Sequence, residues 1–200
     1  MLKDLPSLEQ LIKALQQVPY LASKNIYRVG SYFVQLEDHK LAQFCTTLLE
    51  AKKKVVACGR CYTWRETDRE CSFCSSIKRD QTTVCVVESW QELIAIEKTG
   101  GYQGIYHVLG GVICPLDGIG PEDLTIQALV DRVDTEGIKE IILAMNQTPE
   151  GEATIAYIGR KLKDKSVLVS CLARGIPVGS HLESIDRLTV YKALSERRPF

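Results

Sequence analysis

Ile138-Lys-Glu-Ile-Ile-Leu-Ala-Met145-Asn146-Gln-Thr148-Pro-Glu150-Gly-Glu152 is the stretch on which the fold turns. Its first half, residues 138–145, is a run of branched apolar residues that predicts a strand. Its second half leads into a helix over 150–163, where Glu150 and Glu152 suit the positive end of the helix dipole. The same grammar recurs on both sides. Residues 84–87 (Val-Cys-Val-Val), 104–109 and 166–171 predict strands, and 89–98 and 121–135 predict helices. Alternation of this kind argues a mostly parallel α/β sheet.

Residues 144–152, Ala-Met-Asn-Gln-Thr-Pro-Glu-Gly-Glu, resemble a run in Toprim-type nucleic-acid enzymes that reads Ala-Thr-Asp-x-Asp-x-Glu-Gly-Glu. In those primases and topoisomerases the Asp-x-Asp pair helps hold a catalytic magnesium. Asn146 and Thr148 stand in place of the two aspartates. Magnesium is a hard cation usually anchored by one or two carboxylates, so two ligands are gone and magnesium is not an expected cofactor. Glu88, after the first strand of the sheet, matches the acidic residue such enzymes use as a general base or metal-linked group. Without the aspartates it reads as short of partners.

Upstream, Cys58-Gly-Arg-Cys61 and Cys71-Ser-Phe-Cys74 make a C-x2-C-x9-C-x2-C pattern. Each C-x2-C turn can aim two thiolates at one tetrahedral ion, so a structural zinc site is expected, with one ion per chain. A redox pair or four unrelated cysteines are the competing readings. Cys45, Cys85, Cys114 and Cys171 read as small buried hydrophobes. The three histidines, His39, His107 and His181, read as structural or solvated.

The front of the chain has helical spacing over 5–15, from about 23 and over 39–53. Ser7 and Gln10 form a potential capping box, and Val18-Pro19 marks a break. The formal net charge is zero. Residues 1–80 nevertheless hold 13 Lys/Arg against 9 Asp/Glu, and residues 81–200 hold 12 against 16. One face for a polyanion and another for a basic partner would fit that division. No apolar run reaches the ~20 residues of a membrane span, and the start has no apolar signal core. A cytoplasmic protein without disulfides is expected.

Several longer runs resemble the RecR family of bacterial recombination mediators. They are the four knuckle cysteines, Cys85-Val-Val-Glu-Ser, Pro115-Leu-Asp-Gly-Ile-Gly-Pro, Glu150-Gly-Glu-Ala-Thr and Ala173-Arg-Gly-Ile-Pro-Val-Gly. The resemblance implies a multi-module α+β and α/β chain: a helix-hairpin-helix over 1–54, a four-cysteine zinc finger over 55–80, a Toprim-like α/β domain with a mostly parallel sheet over 81–172, and a C-terminal loop and helix over 173–200 used in oligomerisation. It further implies a non-catalytic DNA repair subunit, a dimer to ring-like tetramer associated with the nucleoid. Such subunits work with RecO, and often RecF, to load RecA onto gapped DNA coated with single-strand-binding protein.

In the family the hairpin reads Leu-Pro-Gly-Val-Gly-Pro-Lys-Ser-Ala-x-Arg, whereas this chain reads Val18-Pro-Tyr20-Leu-Ala22-Ser-Lys24-Asn-Ile-Tyr-Arg28. Tyr20 and Ala22 replace two glycines that let backbone amides approach a phosphate, which predicts either a blocked approach or another turn geometry. Lys24 and Arg28 survive one helical turn apart, as DNA contacts or as ordinary surface cations. Lys52, Lys53 and Lys54 are a second candidate contact, or a solvated helix end. Glu88, Glu150 and Glu152 are candidates for docking a basic partner such as RecO. Two rival functions stay open: a Toprim-type nuclease or topoisomerase-like enzyme, and a protein-only adaptor without intrinsic DNA binding.

Overall fold

The computed structural model describes residues 4–197; the ends of the chain, including the last three residues of the predicted C-terminal segment, lie outside the described residues. The chain splits into two compact units, Met1–Val55 and Val56–Phe200.

The first unit holds three helices, α1 (Pro6–Gln16), α2 (Ser23–Gln35) and α3 (Asp38–Lys54). The expected Ser7–Gln10 capping box does not form. Pro6 sits in the first turn and Leu5 at the cap position, because the fixed φ of proline is already helical and its missing N–H needs no partner. Ile12 of α1 and Ile26 of α2 are buried. Gly30 lets the helices close together, since a Cβ there would fall 2.8 Å from Ile12 Cδ1. Between them the turn keeps a left-handed residue although its glycine is gone: Tyr20 has φ +65°. Ala22 needs no such freedom, with φ −56° and ψ 136°. No residue of α3 is buried, so Cys45 is exposed rather than a core residue.

The second unit is built on a four-stranded sheet of β3 (Asp80–Val87), β4 (Gly104–Val108), β5 (Glu140–Ala144) and β6 (Leu168–Cys171), ordered β4-β3-β5-β6. Every pairing among these strands is parallel. Strand alternation divides the core in two. Val84 and Val86 pack with α5 (Ile126–Thr135) and α6 (Pro149–Leu162) through Leu129, Val130, Ile158 and Leu162. Cys85, Val87 and Tyr106 face the other way, onto Leu93 of α4 (Trp90–Glu97) and onto Tyr62 and Phe73 of the cysteine-rich segment.

The helix expected over 121–135 is broken. A 3-10 turn at Pro121–Asp123 ends at Leu124, which is extended with ψ 159°, before α5 begins. Leu124 is buried in the α5/α6 core, and continuing the helix would turn it elsewhere. Of the four cysteines outside the cluster only Cys85 is buried; Cys171 is exposed and Cys114 partly so. The predicted loop and terminal helix are present, the latter as α7 (Arg187–Ser195).

Candidate functional site

The four knuckle cysteines come together. The hairpin of β1 (Val55–Ala57) and β2 (Trp64–Glu66) carries Cys58 and Cys61. Tyr62 closes that turn with φ +61° and donates its N–H to the Cys58 carbonyl at 2.9 Å. All four Sγ atoms lie within 4.8 Å of one another, with Cys61 and Cys71 3.5 Å apart. Tetrahedral thiolates at about 2.3 Å from zinc would stand about 3.8 Å apart, so the donor set fits such an ion. The Arg60 amide points at Cys58 Sγ from 3.4 Å, an electrostatic support for a thiolate. Hydrogen bonding to Cys71 and Cys74, with burial, holds the Cys61 thiol far above its ordinary pKa. A divalent cation reverses that preference by binding the deprotonated sulfurs.

The cluster is fixed to the sheet by side chains that sequence reading passed over. Arg60 makes two 2.9 Å hydrogen bonds to the Glu136 carboxylate and donates to the Cys74 carbonyl at 3.1 Å, joining both halves of the knuckle to the end of α5. Arg132 reaches the same Glu136 at 3.1 Å. Phe73 stacks edge-on against Tyr106 with centroids 5.2 Å apart, and Arg79 lies over Phe73 at 4.8 Å. The knuckle therefore shares with α4 the cover of one face of the sheet.

Glu88 and Asn146 leave the carboxyl ends of β3 and β5, the central pair of strands. In this strand order β4 lies on one side of β3 and β5 on the other. The sheet thus changes direction between them, where open α/β sheets place their ligands. Asn146 donates from its backbone N to Glu88 Oε1 at 2.6 Å and from Nδ2 to Oε2 at 2.9 Å. The sequence suggested a Glu88 short of partners; the structure corrects this, since Asn146 occupies both of its oxygens. The amide satisfies the carboxylate that a metal would otherwise share. Thr148, the second altered position, caps α6 by accepting from Gly151 N at 3.1 Å. Gly151 itself is obligatory, because a Cβ would fall 2.2 Å from the Asn146 carbonyl oxygen. Glu150 and Glu152 both lie in the first turn of α6. Glu152 accepts from Arg174 Nη2 at 2.8 Å, so its charge is already matched within the chain.

In the first unit, Lys24 and Arg28 are exposed, and neither makes an ion pair among the described residues. Helix α2 contains no acidic residue, and Ala22 offers its first turn no side-chain cap. Lys52, Lys53 and Lys54 occupy the last turn of α3, where Lys54 approaches Glu50 at 3.6 Å. Among the described residues no helix is long and apolar enough to cross a membrane.

The sheet and its end site define a Toprim domain: residues 82–173 match that family, and residues 175–198 match the family described as RecR, C-terminal. Whole-chain relatives are close. The recombination protein RecR of Chlorobium luteolum is 45% identical over 197 residues, covering 96% of each chain. That of Syntrophobacter fumaroxidans is 40% identical, covering 98% of this chain and 96% of its own. That of Rippkaea orientalis is 44% identical, over 96% and 97% respectively. The chain belongs to the RecR family of recombination proteins.

Proposed function

We propose that this chain is a non-catalytic mediator of DNA repair by recombination. It assembles into a ring-like oligomer, a dimer to tetramer, and holds gapped DNA on Lys24 and Arg28, with Lys52, Lys53 and Lys54 as a second contact. With RecO, and with RecF where present, it helps load RecA onto gapped DNA coated with single-strand-binding protein in the cytoplasm. Glu88 and Glu150 are the docking carboxylates for a basic partner, Glu152 being already paired with Arg174. Zinc held by Cys58, Cys61, Cys71 and Cys74 is structural, since four sulfurs complete a tetrahedral shell and leave no position for substrate.

The observation that carries the non-catalytic reading is the pair of hydrogen bonds from Asn146 to Glu88. A metal-dependent phosphoryl-transfer site needs carboxylates free to take the ion. The DNA reading rests on the acid-free, uncapped start of α2, whose first amides and two cations suit a phosphate. Two assays test the proposal. Magnesium-dependent nicking by wild type, lost in Glu88→Gln, would return the protein to the enzymes. Fluorescence anisotropy on gapped DNA at several salt concentrations, with and without RecO, tests the clamp. Salt-sensitive binding lost in Lys24→Glu, Arg28→Glu supports it, whereas binding that appears only with RecO supports an adaptor.

A further inference from the structure

The outer face of α2 is both basic and aromatic. Lys24, Tyr27, Arg28, Ser31, Tyr32 and Gln35 follow one another at helical spacing, and all six are exposed. Tyr27, Arg28, Ser31, Tyr32 and Gln35 line a single shallow concavity. Tyr27 and Tyr32 keep more than half their surface in water, while the opposite side of the helix buries Ile26 and Gly30. Four residues before Lys24 stands Tyr20, fully exposed at 102% and in the left-handed region.

Tyr20 is hard to account for by folding. A left-handed backbone is unfavourable for a bulky side chain, and a ring entirely in solvent recovers nothing through packing. Conformations that folding does not reward gather at functional sites. Three tyrosines within residues 20–32, beside two cations and no carboxylate, form the combination that binds single strands. There, rings stack on unpaired bases while cations follow the backbone.

We infer that Tyr20, Tyr27 and Tyr32 form a stacking platform for unpaired bases, which makes this unit a reader of single-stranded rather than duplex DNA. The inference rests on the proposal that Lys24 and Arg28 meet DNA, and it names the strand form they meet. In a duplex the base faces are already stacked, so exposed rings have nothing to receive them. At a gap the unpaired stretch supplies them. Aromatic stacking replaces the close backbone approach that the two lost glycines would have allowed.

The test compares a labelled oligothymidylate with a mixed-sequence duplex of equal length, by anisotropy on the full chain. The variants are Tyr20→Ala, Tyr27→Ala, Tyr32→Ala, their Phe counterparts, and Lys24→Glu, Arg28→Glu. At least one alanine variant should lose roughly five- to a hundredfold in single-strand affinity, the range of one stacked base, with a much smaller loss on the duplex. The matching Phe variant should bind as wild type does, because the ring is what stacks. Equal losses on both DNAs, no loss in any alanine variant, or Phe variants as weak as alanine would overturn the platform. The charge-reversed variant separates the two ideas. If it loses both DNAs while the tyrosine variants lose neither, the phosphate contacts stand and the platform falls. Should wild type bind neither DNA, both readings fail together.

Discussion

Asn146 donates two hydrogen bonds to Glu88, one from its backbone and one from its side chain, at 2.6 and 2.9 Å. The residue that replaces a metal-binding aspartate is thereby tied to the acidic residue that would have shared the metal. Neutral donors satisfy both carboxylate oxygens by hydrogen bonding, and they tie the two strand ends together without an ion.

Asn146→Asp should therefore be destabilising at neutral pH. It removes a donor and sets a second carboxylate against Glu88, for a cost of about 1–3 kcal/mol. The repulsion exists only while both carboxylates are charged, so the penalty is present at neutral pH and fades as protonation sets in at lower pH. Thermal melts from pH 7 down to 5, with and without magnesium, check this. A recovery of stability by magnesium in Asn146→Asp, Thr148→Asp, absent in wild type, would mark the rebuilt metal seat.

The Toprim sheet was legible because its signals are local. Val84-Cys-Val-Val87 and the run before Asn146 are continuous apolar stretches, and they form strands as their composition requires. The four cysteines were legible because spacing alone constrains a knuckle. What escaped was set by long-range contact. Glu88 and Asn146 lie 58 positions apart, and Arg60 and Glu136 lie 76 apart. No window of sequence contains either pair. Leu124 interrupts a good helical pattern because the core claims its side chain. Tyr20 shows the converse: the turn is left-handed at a bulky residue whose identity gives no local signal of it.

Removing one knuckle thiol should uncouple more than a metal ion. Cys58→Ser is expected to lower bound zinc and soluble yield together, because the cluster covers the Tyr106 face of the sheet. Metal analysis and yield of purified protein give the readout. Unchanged stoichiometry with full solubility would contradict a structural zinc site.

Tyr20→Gly should leave the first unit as stable as wild type or slightly more so. Relief of a left-handed tyrosine is worth about 1–2 kcal/mol, offset by about 0.5–1 kcal/mol for the added freedom of glycine in the unfolded chain. Chemical denaturation of the full chain, followed by probes on the helical unit, measures the difference. A clear loss of stability would mean that the ring contributes packing despite its exposure.

His107 predicts a pH dependence. Its ring is fully buried, with Nε2 3.0 Å from the Thr125 carbonyl and Nδ1 3.1 Å from Arg132 Nη1. A neutral imidazole suits both contacts, with Nε2–H donating and Nδ1 accepting. Burial first, and then the Arg132 charge, push its pKa down to about 3. The unfolded chain takes up that proton near pH 6.5. The contribution is thus complete above pH ~6.5 and is lost as pH falls towards the folded value, at up to about 1.4 kcal/mol per pH unit. In His107→Gln, denaturation midpoints between pH 6.5 and 4 should fall less steeply than in wild type. Parallel slopes would exclude His107 as the source.

Arg174 offers the sharpest test of what secures the C-terminal segment. It pairs with Glu152 in the first turn of α6 at 2.8 Å and approaches Glu196, just past α7, at 3.9 Å. The Glu152 pair is mostly withdrawn from solvent, and Glu152 Oε1 is buried without another partner. Arg174→Ala would leave that carboxylate with no counter-charge, at a local cost of about 1–3 kcal/mol. Glu152→Gln keeps the shape and still accepts a hydrogen bond, so it should cost less. Amide exchange over 187–195 reads the result directly. Faster exchange in Arg174→Ala, with the β3 and β5 amides unchanged, is the outcome expected of a latch between α6 and the terminal helix. Unchanged exchange at α7 would mean that apolar contacts alone hold it.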